Sequence, residues 1–256
     1  MLEANSQNAA AEAVAPTTPS GARPHWRLHQ DELFAAVNQG EVKGALVRGG
    51  TVTMLAQFAR LVLQTVAMMI IARVLTPEDF GLQGYVVAVT GVISLFRDVG
   101  LSMATVQRPH ITHEETSTLF WINVAVGAAL MLITAACAPL LVYLFREPRL
   151  FWMTVVSGSV FFAGGLCVQH QALLQRALRF TTIAQIDLLG LVVSMTLGVG
   201  LALGGFGYWA LVWMVLVGPF VTLAYVWVKV GWVPGRPRDV RKVASHLLFG
   251  GTFTLN

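Results

Sequence analysis

Long apolar stretches alternate with short polar segments along most of this chain. A helix of about 20 apolar residues spans the hydrocarbon core of a bilayer. Six stretches reach that length, at residues 49–72, 81–105, 118–144, 151–174, 183–204 and 206–229, and a seventh begins near His246. The pattern predicts an all-α, polytopic membrane helix bundle, with six transmembrane helices forming one lobe and the start of a seventh.

The residues before the first apolar stretch have a different composition from the rest of the chain. Residues 1–45 are rich in Ala, Ser, Thr and Pro, which is typical of a disordered tail. Between His25 and Val47 the pattern also fits a short amphipathic helix lying on the membrane surface. We therefore divide the chain into this tail, a six-span lobe over residues 46–232, and a cytoplasmic loop with the start of a truncated seventh helix over residues 233–256.

Composition and charge agree with a membrane protein. The chain is 55% hydrophobic and 12% charged, whereas about a quarter of the residues in a soluble domain are charged. The net charge is +4, but the basic residues lie between the apolar stretches rather than in a stripe, which argues against nucleic acid as a partner. Most of them lie on the side of the N-terminus, and those on the other side are Arg73, Arg146 and Arg149. The positive-inside rule then predicts a cytoplasmic N-terminus.

The signatures of an enzyme are absent from the sequence. The predicted external connections are short, so they have no room for a catalytic loop. Cys137 and Cys167 lie within apolar stretches and lack the spacing of metal ligands, and the segment "GGFGY" lacks the Lys and Ser/Thr of a P-loop. We expect no catalytic activity, no cofactor and no metal.

Polar residues inside the first two spans follow a helical repeat. Spacings of three, four and seven place each set on one helical face: Thr53, Gln57, Arg60 and Gln64 in the first span, and Gln83, Thr90, Ser94 and Arg97 in the second. A charge at the bilayer centre costs about 2.5 to 3.5 kcal/mol, so such residues normally face a protein interior or a wet cavity. Arg60 lies near the midplane, which makes it a candidate cavity residue. Arg97 lies closer to the cytoplasmic end, where snorkelling to the headgroups is the alternative.

Further polar groups lie at the cytoplasmic side of later spans. The fourth span ends in a collar of amide and guanidinium groups suited to sugar hydroxyls or phosphate: Gln169, Gln171, Gln175 and Arg176. Asp187, at the start of the fifth span, is expected to form a local ion pair with Arg176 or Arg179, with cation coupling as the alternative. Gly190, Ser194 and Gly198 form a small-residue face that favours close helix packing.

Successive segments of the chain resemble a known family. The segments are "ARVLTPEDFGLQGYVVAVTGVISLFRDVGLSMATVQRP", "HEETSTLFWINVAVG", "ALLQRALRFTTIAQIDLLG" and "GFGYWALV". Over residues 44–256 the chain is similar to Wzx-type polysaccharide and O-antigen unit flippases of the multidrug/oligosaccharidyl-lipid/polysaccharide exporter superfamily. Such proteins usually have about twelve spans or more, so the similarity covers an N-terminal half.

The resemblance implies a function and a set of partners. It implies translocation of oligosaccharide units on undecaprenyl pyrophosphate across a bacterial inner membrane without ATP, through a cavity between two six-helix lobes. Arg60 and Arg97 match the cavity arginines thought to meet the pyrophosphate, and Asp98 and Gly100 match architectural positions. The implied partners are the lipid-linked oligosaccharide, the bilayer, and a second lobe or other polysaccharide assembly proteins.

Two other functions remain open. One is a non-transporting membrane scaffold subunit of a polysaccharide assembly complex, to which a half-length chain is suited. The other is a cation-coupled drug exporter on the same fold. The sequence shows no acid in the middle of a span, and this argues against the exporter, because a cationic drug needs a carboxylate partner.

Overall fold

The structure is a computed structural model that describes residues 39–97 and 112–236, with side chains from Gly50 onwards. The described residues form six helices and no strand: α1 (Gln39–Val74), α2 (Pro77–Ser94), α3 (His113–Phe145), α4 (Arg149–Arg176), α5 (Phe180–Leu203) and α6 (Tyr208–Val230). All of these except α2 are long and apolar enough to cross a membrane. The predicted all-α membrane bundle is thus confirmed. Most of the predicted tail, Asp98, Gly100 and the predicted seventh helix lie outside the described residues.

Capping boxes start α2 and α3 several residues before the apolar stretches that predicted them. In α2, the backbone N–H of Asp79 donates to Thr76 Oγ1 over 3.3 Å, and the N–H of Thr76 donates to Asp79 Oδ2 over 3.1 Å. Thr112 and Glu115 make the same exchange at the start of α3, over 3.2 and 3.0 Å. Each exchange satisfies N–H groups that a helix start leaves unpaired. Polar residues therefore extend both helices beyond their apolar cores.

The helix in the second predicted span ends earlier than the apolar stretch does. Residues 95–97 form a turn in which each N–H donates to the carbonyl three residues earlier, the last from Arg97 to Ser94 over 3.0 Å. The predicted span of 81–105 is therefore helical only to Ser94 within the described residues. Arg97 consequently does not continue the helical face of Gln83, Thr90 and Ser94.

Close backbone contacts hold the helices together in pairs. A Cβ atom on Gly127 of α3 would lie 2.6 Å from the carbonyl oxygen of Phe161 in α4, and one on Gly165 would lie 2.6 Å from that of Asn123. In the same way, α5 packs against α6, where a Cβ on Gly198 would lie 2.8 Å from the side chain of Met214. The Ser194 hydroxyl donates to the Met214 carbonyl. The small-residue face predicted on α5 thus packs against α6.

Each end of the bundle has its own cluster of contacts. At the predicted external end, Arg149 forms ion pairs with Glu147, at 3.1 Å, and with Glu78. These pairs bring the start of α2 beside the α3–α4 turn. At the predicted cytoplasmic end, Trp232 is buried against Phe120, and His170 Nε2 lies 3.3 Å from the Trp232 carbonyl oxygen. The chain that follows α6 is thereby fixed onto α3 and α4.

Candidate functional site

Two adjoining cavities open between α1 and the rest of the bundle. The first, here called the end cavity, has a volume of about 380 Å³ and lies between α1, the α4–α5 turn and α5. The second, the central cavity, has a volume of about 520 Å³ and is bounded by α1, α4, α5, α6 and the turn after α2. Arg60, Asp187 and Leu191 line both cavities, so these three side chains lie at the junction between them.

The polar face of α1 forms one wall of both cavities. Thr53 and Gln57 line the end cavity, Gln64 lines the central cavity, and Arg60 lines both. The opposite side of α1 exposes large apolar side chains, among them Leu55, Phe58, Leu61 and Met69. An apolar exposed face is compatible with lipid, whereas a guanidinium is not, so the helix turns its polar stripe towards the protein.

Arg97 reaches the central cavity from the turn after α2. Its guanidinium lies over Gly164 of α4, where a Cβ atom would come within 3.3 Å of Nη1 and 3.5 Å of Cζ. Arg60 and Arg97 therefore line one cavity from two different elements. No hydrogen bond or ion pair joins either guanidinium to another residue in the described ranges.

The other members of the second polar set line neither cavity. The Thr90 hydroxyl donates to the Val86 carbonyl over 2.9 Å, and the Ser94 hydroxyl donates to that of Gly91 over 2.6 Å. Gln83 is half-buried, and its Oε1 atom has no hydrogen-bond partner. From the face predicted to contain Gln83, Ser94 and Arg97, the structure brings only Arg97 to the cavities, because α2 ends before that residue.

The predicted collar divides into two parts. Gln171 lines the central cavity and Gln175 the end cavity. Gln169 is fully buried, and its Oε1 accepts a hydrogen bond of 3.4 Å from Asn123 Nδ2. Arg176 is also buried and lines neither cavity. The cavities thus receive two amides from the collar, while the other two groups lie in the helix interface.

Asp187 is a cavity residue that the sequence interpretation placed differently. It lines both cavities together with Arg60, whereas its sequence neighbours predicted an ion pair with Arg176 or Arg179. A signal was present, because Asp187 lies three and seven residues before Gly190 and Ser194, which share its helical face and also line the central cavity. Asp187 lies near the start of α5 rather than in its middle, but its carboxylate lines the cavities all the same, which weakens the case against a cation-coupled exporter.

The arrangement has the chemistry of an anion site. Guanidinium groups present several N–H donors in a fixed plane that matches phosphate oxygens, and the pairing is stronger away from bulk water. The amides of Gln57, Gln64, Gln171 and Gln175 add donors and acceptors suited to hydroxyl groups. No group of three or more His, Cys, Asp or Glu side chains able to hold a metal ion occurs in the described part of the chain.

The fold and the cavities define a multi-pass membrane protein with basic groups lining an open cavity between its helices. The chain belongs to the polysaccharide biosynthesis protein family, whose model matches residues 70–256. This match confirms the resemblance found in the sequence.

Curated relatives with names related to polysaccharides match about three quarters of the chain. The lipopolysaccharide biosynthesis protein WzxC of Escherichia coli (strain K12) is 25% identical over 195 residues, covering 74% of this chain and 39% of WzxC. The succinoglycan biosynthesis transport protein ExoT of Rhizobium meliloti (strain 1021) is 27% identical over 199 residues, covering 73% of this chain and 38% of ExoT. The chain thus spans about two fifths of the length of these relatives. No solved structure matches it.

Proposed function

We propose that this chain is the N-terminal lobe of a flippase that translocates lipid-linked oligosaccharide units across the bacterial inner membrane. The carrier is undecaprenyl pyrophosphate, and the process served is polysaccharide or lipopolysaccharide biosynthesis. The observation that carries the proposal is the presence of Arg60 and Arg97 in one cavity without a bonding partner among the described residues. The names of the relatives support the substrate class, since they include lipopolysaccharide biosynthesis and succinoglycan transport.

The cavity gives each part of the substrate a different environment. The guanidinium groups of Arg60 and Arg97 bind the diphosphate oxygens, and the glutamine amides bind the first sugar hydroxyls. The polyprenyl tail stays in the bilayer along the exposed apolar side of α1, where Leu55 and Phe58 lie. The protein supplies hydrogen-bond donors to both charged phosphates. The headgroup therefore crosses without the free-energy cost of placing unpaired charges in the hydrocarbon core.

The relatives' greater length suggests how the cavity is closed. A second lobe of similar size covers the open side, and relative movement of the two lobes exposes the cavity to each side of the membrane in turn. In this arrangement residues 46–232 form the first lobe, residues 233–256 lead towards the second, and the N-terminus is cytoplasmic.

Replacing the two arginines in the full-length protein tests the proposal. Arg60→Ala and Arg97→Ala are each expected to reduce polysaccharide export at least tenfold in a flippase-null strain, because each removes a charge-assisted contact to the diphosphate. Arg60→Lys is expected to retain part of the activity, since it keeps the charge and loses the planar donor pair. Arg73→Ala is the matched control, because it removes an arginine from the other end of the same helix.

The same experiment separates transport from scaffolding. A scaffold subunit requires the protein but not its cavity arginines. Export at the wild-type level by a double Arg60→Ala, Arg97→Ala variant that is present in the membrane in normal amounts would therefore contradict the flippase proposal.

A further inference from the structure

Asp187 and Arg60, which have opposite formal charges, both lie at the junction of the two cavities. Both side chains line the end cavity and the central cavity, Arg60 from α1 and Asp187 from α5. No ion pair joins them in the described structure, so the carboxylate leaves the arginine's donors available. A ligand moving between the cavities passes both groups.

The formal charge of the central cavity is small. Its described lining contains two cationic groups, Arg60 and Arg97, and one anionic group, Asp187. The other ionisable side chain on this wall is the thiol of Cys167. Together they give a net charge of one positive unit, which suits an anionic ligand of limited charge better than one of high charge.

Two anionic forms of a polyprenyl diphosphate differ in charge by one unit. When a sugar is attached, the diphosphate is a diester, and each phosphorus carries one ionised oxygen. When the sugar is absent, the terminal phosphate is a monoester, which ionises a second time at a pH near 6. At pH 8 the sugar-bearing diester has two negative charges and the bare carrier has three.

We propose that Asp187 determines which charge state the cavity accepts, favouring the sugar-bearing diester over the more highly charged bare carrier. This inference rests on the proposed function, because it assumes a diphosphate at Arg60 and Arg97. Asp187 repels each negative charge of the ligand, so its effect grows with the number of charges. It thereby weakens binding of the bare carrier more than binding of the loaded carrier.

The expected size of the effect follows from Coulomb's law. At an effective dielectric constant of about 60, between the values of about 20 near a protein surface and about 80 in bulk water, two unit charges roughly 8 Å apart change an affinity about threefold. Removing the charge of Asp187 is therefore expected to tighten binding about tenfold for the diester and about 30-fold for the monoester. The ratio of the affinity for the diester to the affinity for the monoester then falls about threefold, a change that a binding titration resolves.

The test measures the affinity of the protein in lipid nanodiscs for two probes at pH 8. The probes are farnesyl diphosphate and its galactosyl diester, and the variants are Asp187→Asn and Asp187→Ser. Asp187→Glu keeps the charge and is expected to keep the wild-type ratio. Glu147→Gln is the matched control, because it removes an acid from the opposite end of the bundle. Circular dichroism establishes that each variant is folded. If either Asp187→Asn or Asp187→Ser fails to fold, the other one supplies the measurement.

The outcomes for Asp187 and for the proposed function are distinguishable. An unchanged diester-to-monoester ratio in the neutral variants, with binding lost in Arg60→Ala, overturns the role of Asp187 and leaves the flippase proposal intact. Weaker binding in the neutral variants also overturns it. Wild-type affinity in Arg60→Ala contradicts the diphosphate site itself, and a wild-type protein that binds neither probe overturns both proposals.

Discussion

Arg97 packs its guanidinium against α4 at position 164, which has no side chain. The guanidinium lies where a Cβ atom of residue 164 would come within 3.3 Å of Nη1, closer than side chains normally approach. The next glycine, Gly165, faces α3 instead, where its Cβ would meet the carbonyl of Asn123. Two consecutive glycines therefore have separate roles, the first in placing a charge and the second in packing a helix.

Substitution of Gly164 is expected to separate binding from stability. Gly164→Ala should weaken binding of the galactosyl diester slightly, because the Arg97 guanidinium must move by a few tenths of an ångström, and Gly164→Val should weaken it more, because the larger side chain forces a larger movement. Alanine is favoured over glycine in a helix by about 0.5–1 kcal/mol, so the stability should not fall with the alanine variant. Titration and thermal unfolding in detergent measure the two effects. Gly84→Ala is the control, since nothing lies within 4 Å of its Cβ position, and a Gly164→Val protein with wild-type affinity would refute the placement of Arg97.

At the scale of the helices, the closest approaches at the described glycines are those between α3 and α4. A Cβ on Gly127 would lie 2.6 Å from the Phe161 carbonyl oxygen and 3.3 Å from the Cα of Gly165. Neither atom belongs to a flexible side chain, so an added methyl group forces the helices apart. In a membrane such close approach contributes van der Waals contact that larger residues do not allow.

Gly127→Ala is accordingly expected to destabilise the protein by about 1–3 kcal/mol, the usual cost of adding a methyl group to a packed interface. The measurement is unfolding of the purified protein in mixed detergent micelles. Gly200→Ala in α5 provides the comparison, because its Cβ position has nothing within 4 Å. If both variants unfold at the same denaturant concentration, the close contact between α3 and α4 does not exist as described.

The helices could be predicted from the sequence more completely than the cavity. Runs of apolar residues of bilayer length identified every described helix, and the errors at the starts of α2 and α3 came from polar capping boxes. The stripe on α1 lines both cavities, as its helical spacing predicts. Of the second stripe only Arg97 lines a cavity, because α2 ends at Ser94 and Arg97 lies in the turn beyond it. Spacing alone places Asp187 on the helical face of Gly190 and Ser194, but it does not show that this face borders a cavity.

At the scale of the whole molecule, the two ends of the bundle differ in charge. The external end predicted from the sequence contains Arg73, Arg146 and Arg149, and acidic partners at Glu78 and Glu147 neutralise part of that charge through Arg149. The other basic residues outside the spans belong to the predicted cytoplasmic side. The positive-inside rule counts basic residues rather than net charge, so this distribution determines the expected orientation.

Cysteine labelling tests that orientation directly. In a background of Cys137→Ala and Cys167→Ala, with any cysteine elsewhere in the full-length protein also replaced, a single cysteine is introduced at one of two exposed positions. Phe206→Cys lies in the α5–α6 turn and Thr181→Cys at the start of α5. A membrane-impermeant maleimide added to intact spheroplasts is expected to label Phe206→Cys and to label Thr181→Cys only after the membrane is permeabilised. The background protein without cysteines controls for non-specific labelling. The reverse pattern would place the N-terminus outside the cell, and the end cavity, with Gln57 and Gln175, would then face the side to which sugars are delivered rather than the side on which they are assembled.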